Sequence, residues 1–532
     1  MIKAVRGTRD LLPPDTDLWN RVDAKVRDVF ARYNYHEIRT PIFEDTQLFS
    51  RSVGEETDIV SKEMFTWEDG PKVRAIELFT KWLERREADP NEVQPPTRRG
   101  VDYAFFLADQ WHLFHFVTVL STGRDVLNAV IVLERGKSLL VQQKNAPVTM
   151  VAVIPASSRA KNAARQFATY GVSVEEVPLD QYEDPQSLTL RPENTAGVVR
   201  AYIEHGLDRK GTLQKLYYIG PQFRRERPQK GRYRQFYQIG AEIIGPPSAG
   251  SESPLRDAEL LEMLATLLGE VGMRDWQLWL NSVGCAEDRA RYDKALREAL
   301  QPVLHRMCDD CKRRAETNPL RVLDCKVPED QPIIEKLPKI GQYLDEPCRE
   351  HFAAVRAMLD AVGITYAINE RMVRGLDYYT RTTFEFTHGG LGAQSAVVGG
   401  GRYDGLSESL DGSKAPGIGF AIGEDRLILS LQSQGEKPAE KMQAYIAALG
   451  AGMNTHALKL ARELRRAGVT ADIGDETFRL KRSFELAEKA GARFVVIVGE
   501  NEVAAQQFAV KDLASGEQVN VPRAQLAEYL RQ

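Results

Sequence analysis

Apolar residues recur at helical spacing near the start of the chain. Leu18, Val22, Val26 and Phe30 fall one turn apart in DLWNRVDAKVRDVFARY, which predicts an amphipathic helix over 17–33. The next stretch, YHEIRTPIFEDTQLF, reads as a short strand broken at Pro41, a residue suited to a strand edge because it has no backbone N–H to leave unpaired. The texture then changes between Gly70 and Ser187. A charged helical pattern, AIELFTKWLERREAD, and a loop, NEVQPPTRRG, lead to two apolar runs, NAVIVLE and VTMVAVIPA, both expected as strands. SSRAKNAARQFATYG follows as a helix stopped by Gly171, and VSVEEVPL as another strand, so this block is expected to fold as a small inserted α/β domain.

Beyond the insert, LYYIGPQFRRERPQKGRYRQFYQIGAEIIG places two apolar strands around a basic loop, the layout of a long antiparallel hairpin. Period-2 alternation on the second strand sets Phe236, Gln238, Gly240 and Glu242 on one face and Tyr237, Ile239, Ala241 and Ile243 on the other. An aromatic, an amide and a carboxylate in one row make a candidate floor for a polar small-molecule site; a solvated sheet face is the plain alternative. LTLRPENTAG spaces Arg191, Glu193 and Thr195 two residues apart, so an extended segment would show all three on one side. A Pro/Gly/Ser-rich connection, GPPSAGSESP, then leads into sequence that is mainly helical to about residue 363. RGLDYYTRTTFEF joins Arg374 and two tyrosines to a strand, and VVGGGRYDGL is expected as a glycine-rich turn carrying Arg402, Tyr403 and Asp404. After a polar linker at 433–441, strands AYIAAL and FVVIVG alternate with helices such as HALKLARELRRAG in a last compact α/β block.

Length and charge refine this picture. At 532 residues the chain suggests two to four domains. Its formal charge is only −4, yet residues 223–234 concentrate five arginines and Lys230. A nucleic-acid partner responds to such local patches and not to the sum. No stretch has a signal-peptide core, and none approaches the roughly 18 consecutive apolar residues of a membrane helix, so a cytoplasmic protein without membrane contact is expected. The GGG run lacks the Lys-Ser/Thr end of a P-loop, and no G-x-G-x-x-G follows an early strand. Of five cysteines, Cys308 and Cys311 have zinc-like spacing, but Cys325 and Cys348 are single and far apart. They are read as free thiols, and no metal ligand is assigned.

Taken together, these segments resemble the histidyl-tRNA synthetases, a class II aminoacyl-tRNA synthetase family. RTPIFE with Pro41 is similar to class II motif 1, FRRERPQKGRYRQF to motif 2 and GIGFAIGEDRL with Arg426 to motif 3; RGLDYY and GGGRYDGL resemble the two histidine-specific segments. The resemblance implies an α/β fold whose α+β catalytic core is a mixed, mainly antiparallel sheet flanked by helices. It divides the chain into core segments 1–70, 185–255 and 364–432 and an inserted domain of unknown role at 71–184. A mainly helical region, 256–363, would include an insertion domain over the acceptor stem. A linker at 433–441 and an α/β anticodon-binding domain at 442–532 complete the chain.

The implied activity is ATP-dependent attachment of L-histidine to its tRNA through histidyl-adenylate, with Mg2+ accompanying ATP. By similarity Arg224 holds the α-phosphate, Arg426 the far end of the triphosphate, and Arg374 the carboxylate and α-phosphate together; Arg224 and Arg374 are the implied catalytic residues. Phe236 would stack under adenine, with Glu226 near its edge. Glu193, Thr195 and Gln238 would accept from the amino acid's ammonium, which demands acceptors. Glu242 and Tyr379 would bracket the imidazole, with Tyr403 lining the pocket and Tyr378 close by. Arg227, Gln229, Lys230, Arg232 and Arg234 lie where motif 2 loops meet the acceptor end of tRNA. A homodimer through motif 1 is expected. The alternative from the same family resemblance is a non-catalytic regulatory subunit of histidine biosynthesis, but such chains typically lose the histidine-site motifs and the C-terminal domain. Asn194 stands where the family usually has glycine and is expected to tolerate left-handed backbone there. The insert is an unusual departure from the familiar family layout, which passes almost directly from a segment like KEMFTWEDG to one like SLTLRPE; it is open to three readings, a passive appendage, a contact surface or a hydrolytic site, and no metal or nucleophile cluster in it favours the last.

Overall fold

The computed structural model describes residues 2–54, 57–69, 103–107, 110–117, 123–141, 146–155, 160–177, 186–229, 231–373, 376–390, 396–435 and 442–531. Its centre is an eight-stranded sheet built from β1 (His36–Glu37), β2 (Gln214–Phe223), β3 (Gln235–Ile244), β4 (Trp276–Ser282), β5 (Ala367–Ile368), β6 (Thr380–His388), β7 (Ala396–Arg402) and β8 (Gly417–Gly423). The strand order is β1-β2-β3-β8-β7-β6-β4-β5. Only the two edge pairs, β1/β2 and β4/β5, run parallel, so the sheet is mixed and mainly antiparallel as expected. The hairpin β2/β3 pairs from Gln235↔Phe223 to Ile244↔Gln214 and ends at the basic loop.

The apolar face of the sheet is covered by helices. Helix α1 (Asp15–Arg32) buries Leu18, Val22, Val26 and Phe30, the four residues whose spacing marks it in the sequence. Helix α2 (Pro254–Glu270) starts at Ser253, whose hydroxyl accepts from Leu255 N, and packs Leu260, Leu261, Leu264, Leu267 and Leu268 into the same core. Ile239, Ala241 and Ile243 of β3 meet these helices, so the alternation on that strand is borne out. Each such leucine or isoleucine taken from water contributes about 1.5–3 kcal/mol.

Buried charge also ties the sheet to its helices. Arg402, at the end of β7, is fully buried; its Nε and Nη2 bind Asp257 of α2 at 3.0 and 2.5 Å, and its Nη1 donates to Ser251 O at 2.9 Å. His351 Nε2 meets the other Asp257 oxygen at 2.8 Å. Burial alone would raise the Asp257 pKa, but the guanidinium and the imidazole bond outweigh it and hold the carboxyl well below the usual range. We expect Arg402→Met to lower unfolding stability by about 3–5 kcal/mol, since Asp257 is left buried without its counter-charge. A depressed carboxyl pKa gives stability that is present above its unfolded value and lost as pH falls. The gap between parent and variant in urea denaturation should therefore shrink in acid.

Three local expectations are corrected, and one, the mainly helical region, is refined. NAVIVLE is not a strand but lies inside a helix, Gly123–Val141, because Val126, Ala129, Val130 and Leu133 bury one helical face while Leu127 and Ile131 stay exposed. The three glycines Gly399–Gly401 are not in a turn but within β7, where neighbours crowd them: a Cβ on Gly400 would come within 2.6 Å of Phe384 Cζ and one on Gly401 within 2.8 Å of Tyr379 Cδ1. The mainly helical region 256–363 contains a sheet strand, β4. Asn194 has φ −122°, so no left-handed backbone is needed; its Oδ1 accepts from Thr40 Oγ1 at 2.6 Å.

The insert's described part is a four-stranded sheet of Tyr103–Leu107, Gln110–Phe116, Val148–Pro155 and Val172–Val177, in that order, with helices Gly123–Val141 and Ala160–Thr169 and its own core around Leu113, Leu133 and Phe167. His112 and His115 sit in one of its strands. The segments AIELFTKWLERREAD and NEVQPPTRRG lie outside the described residues. Residues 442–531 form a separate five-stranded sheet with its own core around Ile446, Val496 and Val510.

Candidate active site

An open cleft of about 190 Å³ lies on the polar face of the central sheet. Phe236, Gln238, Arg224 and Glu226 reach it from the β2/β3 hairpin, Glu193 and Thr195 from the start of helix α3 (Thr195–Glu204), Tyr378, Tyr379 and Tyr403 from the same end of the β6/β7 pair, where Thr380 faces Arg402, and Arg426 from the helix after β8. Residues separated by more than 200 positions thus converge on one surface. Arg374 lies outside the described residues, as does Lys230.

The segment LTLRPENT does not stay extended. Its strand ends at Leu190, and α3 begins at Thr195. Glu193 turns back to cap that helix, accepting from Thr195 N at 2.7 Å and Ala196 N at 3.1 Å, where a helix N-terminus favours negative charge. Arg191 points elsewhere: it donates to Pro221 O at 2.9 Å and to Thr40 O at 3.0 Å, clamping the Thr40–Pro41 segment to β2.

Beneath the cleft floor, Glu242 is fully buried. Its two oxygens accept from Thr195 Oγ1 at 2.8 Å and from Tyr403 Oη at 2.7 Å. Burial pushes its pKa up to about 8, although the bonds from Tyr403 and Thr195 pull it down and Glu193 adds repulsion. Burial likewise raises Glu193, with the two backbone N–H bonds and Arg224 opposing. Among the described residues neither carboxylate has a lysine or arginine ion-pair partner, and the buried Gln238 Oε1 accepts no hydrogen bond. Such a group of acceptors, with no ion-pair partner among the described residues, suits a cationic ligand.

The cleft also carries cations. The Arg224 guanidinium lies 5.3 Å from the Phe236 ring centroid, and its Nε is fixed by Pro192 O at 2.9 Å. Arg426 Nη1 donates to Ala396 O at 2.9 Å. Glu226 pairs with Arg232 at 2.9 Å, so Arg232 lines the cleft instead of standing free in the loop. Arg234 folds back onto Arg6 O at 3.2 Å, whereas Arg227 and Gln229 are exposed. The sequence reading missed Tyr218, which lines the cleft opposite Gly240, and Asp425, which accepts from Tyr237 N at 2.9 Å and Arg9 at 2.7 Å. Tyr218 was within reach: extending the alternation across the hairpin puts positions 216, 218, 220 and 222 on the same face as 236–242.

Comparison with known proteins agrees with this arrangement. Residues 177–427 match the family model for histidyl-tRNA synthetase and 443–532 that for an anticodon binding domain. A curated relative from Koribacter versatilis (strain Ellin345), named histidine–tRNA ligase, is 59% identical over 533 residues, covering 100% of this chain and 96% of the relative. The chain belongs to the histidyl-tRNA synthetase family. Another histidine–tRNA ligase of the family, from Solibacter usitatus (strain Ellin6076), is 47% identical over 532 residues, covering 100% of this chain and 99% of its own. The crystal structure of apo S. aureus histidyl-tRNA synthetase superposes with a TM-score of 0.65 at 30% identity, covering 100% of both chains. The Koribacter and Solibacter alignments run the length of the chain, so 71–184 is no departure among these histidyl-tRNA synthetases.

Proposed function

We propose that this chain ligates L-histidine to histidine tRNA in two steps, forming histidyl-adenylate from ATP and then transferring histidine to the terminal ribose. The observation that carries the reading is the pairing of opposite charge in one cleft: buried Glu193 and the unpartnered Gln238 oxygen line it together with Arg224 and Arg426, and buried Glu242 is hydrogen-bonded to its lining residues Thr195 and Tyr403. The acceptors Glu193, Thr195 and Gln238 receive the ammonium, while Glu242 and Tyr379, with Tyr403 and Tyr378 around them, receive the imidazole. Arg224 and Arg374 hold the carboxylate against the α-phosphate, Arg426 the far phosphates, and Phe236 the adenine, with Glu226 at its edge. Guanidinium forks suit these oxygens because two parallel N–H groups match a phosphate edge. Magnesium carried by ATP supplies further charge compensation when bound.

Both relatives, named as ligases, favour catalysis over the regulatory alternative. The test is histidine-dependent exchange of pyrophosphate into ATP. Exchange with histidine and not with other amino acids supports the assignment; none in a folded protein overturns it.

The tRNA acceptor end would meet the hairpin loop, with Arg227 and Gln229 as its exposed contacts beside Arg232 and Arg234. Arg227→Ala is expected to raise KM for tRNA about 3- to 10-fold while leaving pyrophosphate exchange unchanged, because a phosphate contact positions the nucleic acid without touching the adenylate. Aminoacylation kinetics at fixed salt measure it. A homodimer fits the exposed apolar edge near motif 1, where Ile42, Phe43 and Trp67 face solvent and the Phe43 and Trp67 rings lie 6.0 Å apart. A cytoplasmic site of action fits the translation role, and among the described residues no helix is long and apolar enough to cross a membrane.

A further inference from the structure

The four cysteines grouped by sequence, Cys308, Cys311, Cys325 and Cys348, do not converge. Cys348 lies with Cys285, Asp288 and Asp345, while Cys308, Cys311 and Cys325 gather around Asp330. We propose that Cys308, Cys311, Cys325 and Asp330 form a structural site for a thiophilic divalent cation, zinc foremost.

Geometry is the first support. One donor atom from each of the four residues lies within 4.8 Å of all the others. The Cys308 and Cys325 sulfurs are 3.9 Å apart, and Cys325 Sγ is 3.2 Å from Asp330 Oδ2. A tetrahedral zinc with bonds of about 2.3 Å to sulfur separates its sulfur ligands by about 3.8 Å, so the observed spacing is that of a coordination edge. Three sulfurs and a carboxylate oxygen also match the soft, mixed donor set that selects zinc over magnesium or calcium.

The surroundings fix the donor atoms in place. Cys311, Cys325 and Asp330 are buried. Backbone N–H groups point at two of the sulfurs, Cys311 N to Cys308 Sγ at 3.4 Å and Val327 N to Cys325 Sγ at 3.4 Å. Cys308 caps the helix Asp309–Thr317, so the cluster sits at the positive end of that helix. Asp330 accepts from Cys308 N at 3.2 Å, which orients its carboxylate toward the sulfurs.

The second cluster differs in chemistry. It has two sulfurs and two carboxylates, and Asp288 already carries a cation, Arg291. Its acceptors serve helix starts: Asp288 receives Cys285 N at 3.2 Å and Asp345 N at 2.9 Å, and Asp345 receives Cys348 N at 2.8 Å. It is a pair of helix caps and needs no ion.

A cation at the first cluster has work to do. Residues 301–345 hold short 3-10 turns, one four-residue helix and the helix Asp309–Thr317 around a small core, a segment with little regular structure to brace it. Between Cys311 and Cys325, Asn318 and Arg321 both donate to Asp377 Oδ1, at 3.3 and 3.1 Å. Asp377 directly precedes Tyr378 and Tyr379 of the cleft. Four ligands drawn from both ends of this segment brace the support behind the two tyrosines. Binding drives the thiol protons into the buffer, since thiolates are the ligands.

The experiment uses the full chain, purified under thiol reductant without chelator from zinc-supplemented cells. Elemental analysis is expected to find one zinc per chain, and chelation followed by cobalt(II) to give the thiolate charge-transfer and tetrahedral ligand-field bands. Cys311→Ala and Cys325→Ala should lose both signals, and Cys348→Ala should keep them. Metal-free parent protein that takes up no cobalt overturns the proposal without reference to any variant. So does a cobalt spectrum unchanged in Cys311→Ala, or a Cys308–Cys325 disulfide in place of bound metal.

Discussion

Glu242→Gln is expected to cut kcat/KM for histidine in pyrophosphate exchange by about ten-thousand-fold while making the free protein more stable in alkaline solution. The activity loss follows from recognition by buried polar groups. A site built to bind both ends of a polar ring rejects a mismatched partner by about 10^4–10^5, because a buried group left unpaired costs its full desolvation. The stability gain follows from the same burial. With its pKa raised to about 8, Glu242 favours the folded state fully only below the ordinary carboxyl range, and that contribution is lost as pH rises through 8. Ionising it in the folded, ligand-free protein costs on the order of 4 kcal/mol, which a neutral amide of the same shape avoids. Thermal melts at pH 6 and pH 9 measure the second effect: the variant's gain on its parent should be clearly larger at the higher pH. In the parent, kcat/KM for histidine should climb toward a plateau above about pH 8 as the carboxylate forms.

Arg224→Gln is expected to slow adenylate formation by about 10^3–10^5, the range found for arginines that offset phosphoryl charge, with little change in KM for histidine. Its guanidinium is preset: Pro192 O holds Nε and the Phe236 face supports the plane, so the outer nitrogens are directed without further ordering. Arg224→Lys should rescue little, since an ammonium cannot reproduce a fork. Single-turnover adenylate formation separates this from a binding defect; equal losses in kcat and kcat/KM are the expected pattern.

Much of this site was legible because β-strand geometry is simple. Alternation along 235–244 marks the row Phe236, Gln238 and Glu242 in the sequence itself, and the opening helix follows from four apolar positions. What escaped was set by contacts between segments. The bend at Pro192 and the helix start at Thr195 depend on Glu193 finding two backbone N–H groups. The glycines of β7 look like a turn until the packing of Phe384 and Tyr379 against them is known. NAVIVLE is short enough to fit either period, and only burial of Val126, Ala129, Val130 and Leu133 decides it. Arg402 stands beside Tyr403 in a motif associated with histidine, yet its charge is spent on Asp257 behind the sheet. The cysteines could not be grouped correctly by spacing because the pairing of Cys348 with Cys285 and of Cys325 with Asp330 belongs to the tertiary fold.

The cleft floor carries a further constraint. A Cβ on Gly419 would reach within 2.5 Å of Glu242 Cδ, one on Gly401 within 2.8 Å of the Tyr379 ring and one on Gly240 within 2.8 Å of Phe420 O. Attempts to redirect the enzyme toward unnatural amino acids therefore cannot remodel it from below. Laboratory evolution has to work through the side chains that line the cleft, at Gln238 and the tyrosines, and libraries that spare Gly240, Gly401 and Gly419 will waste fewer clones.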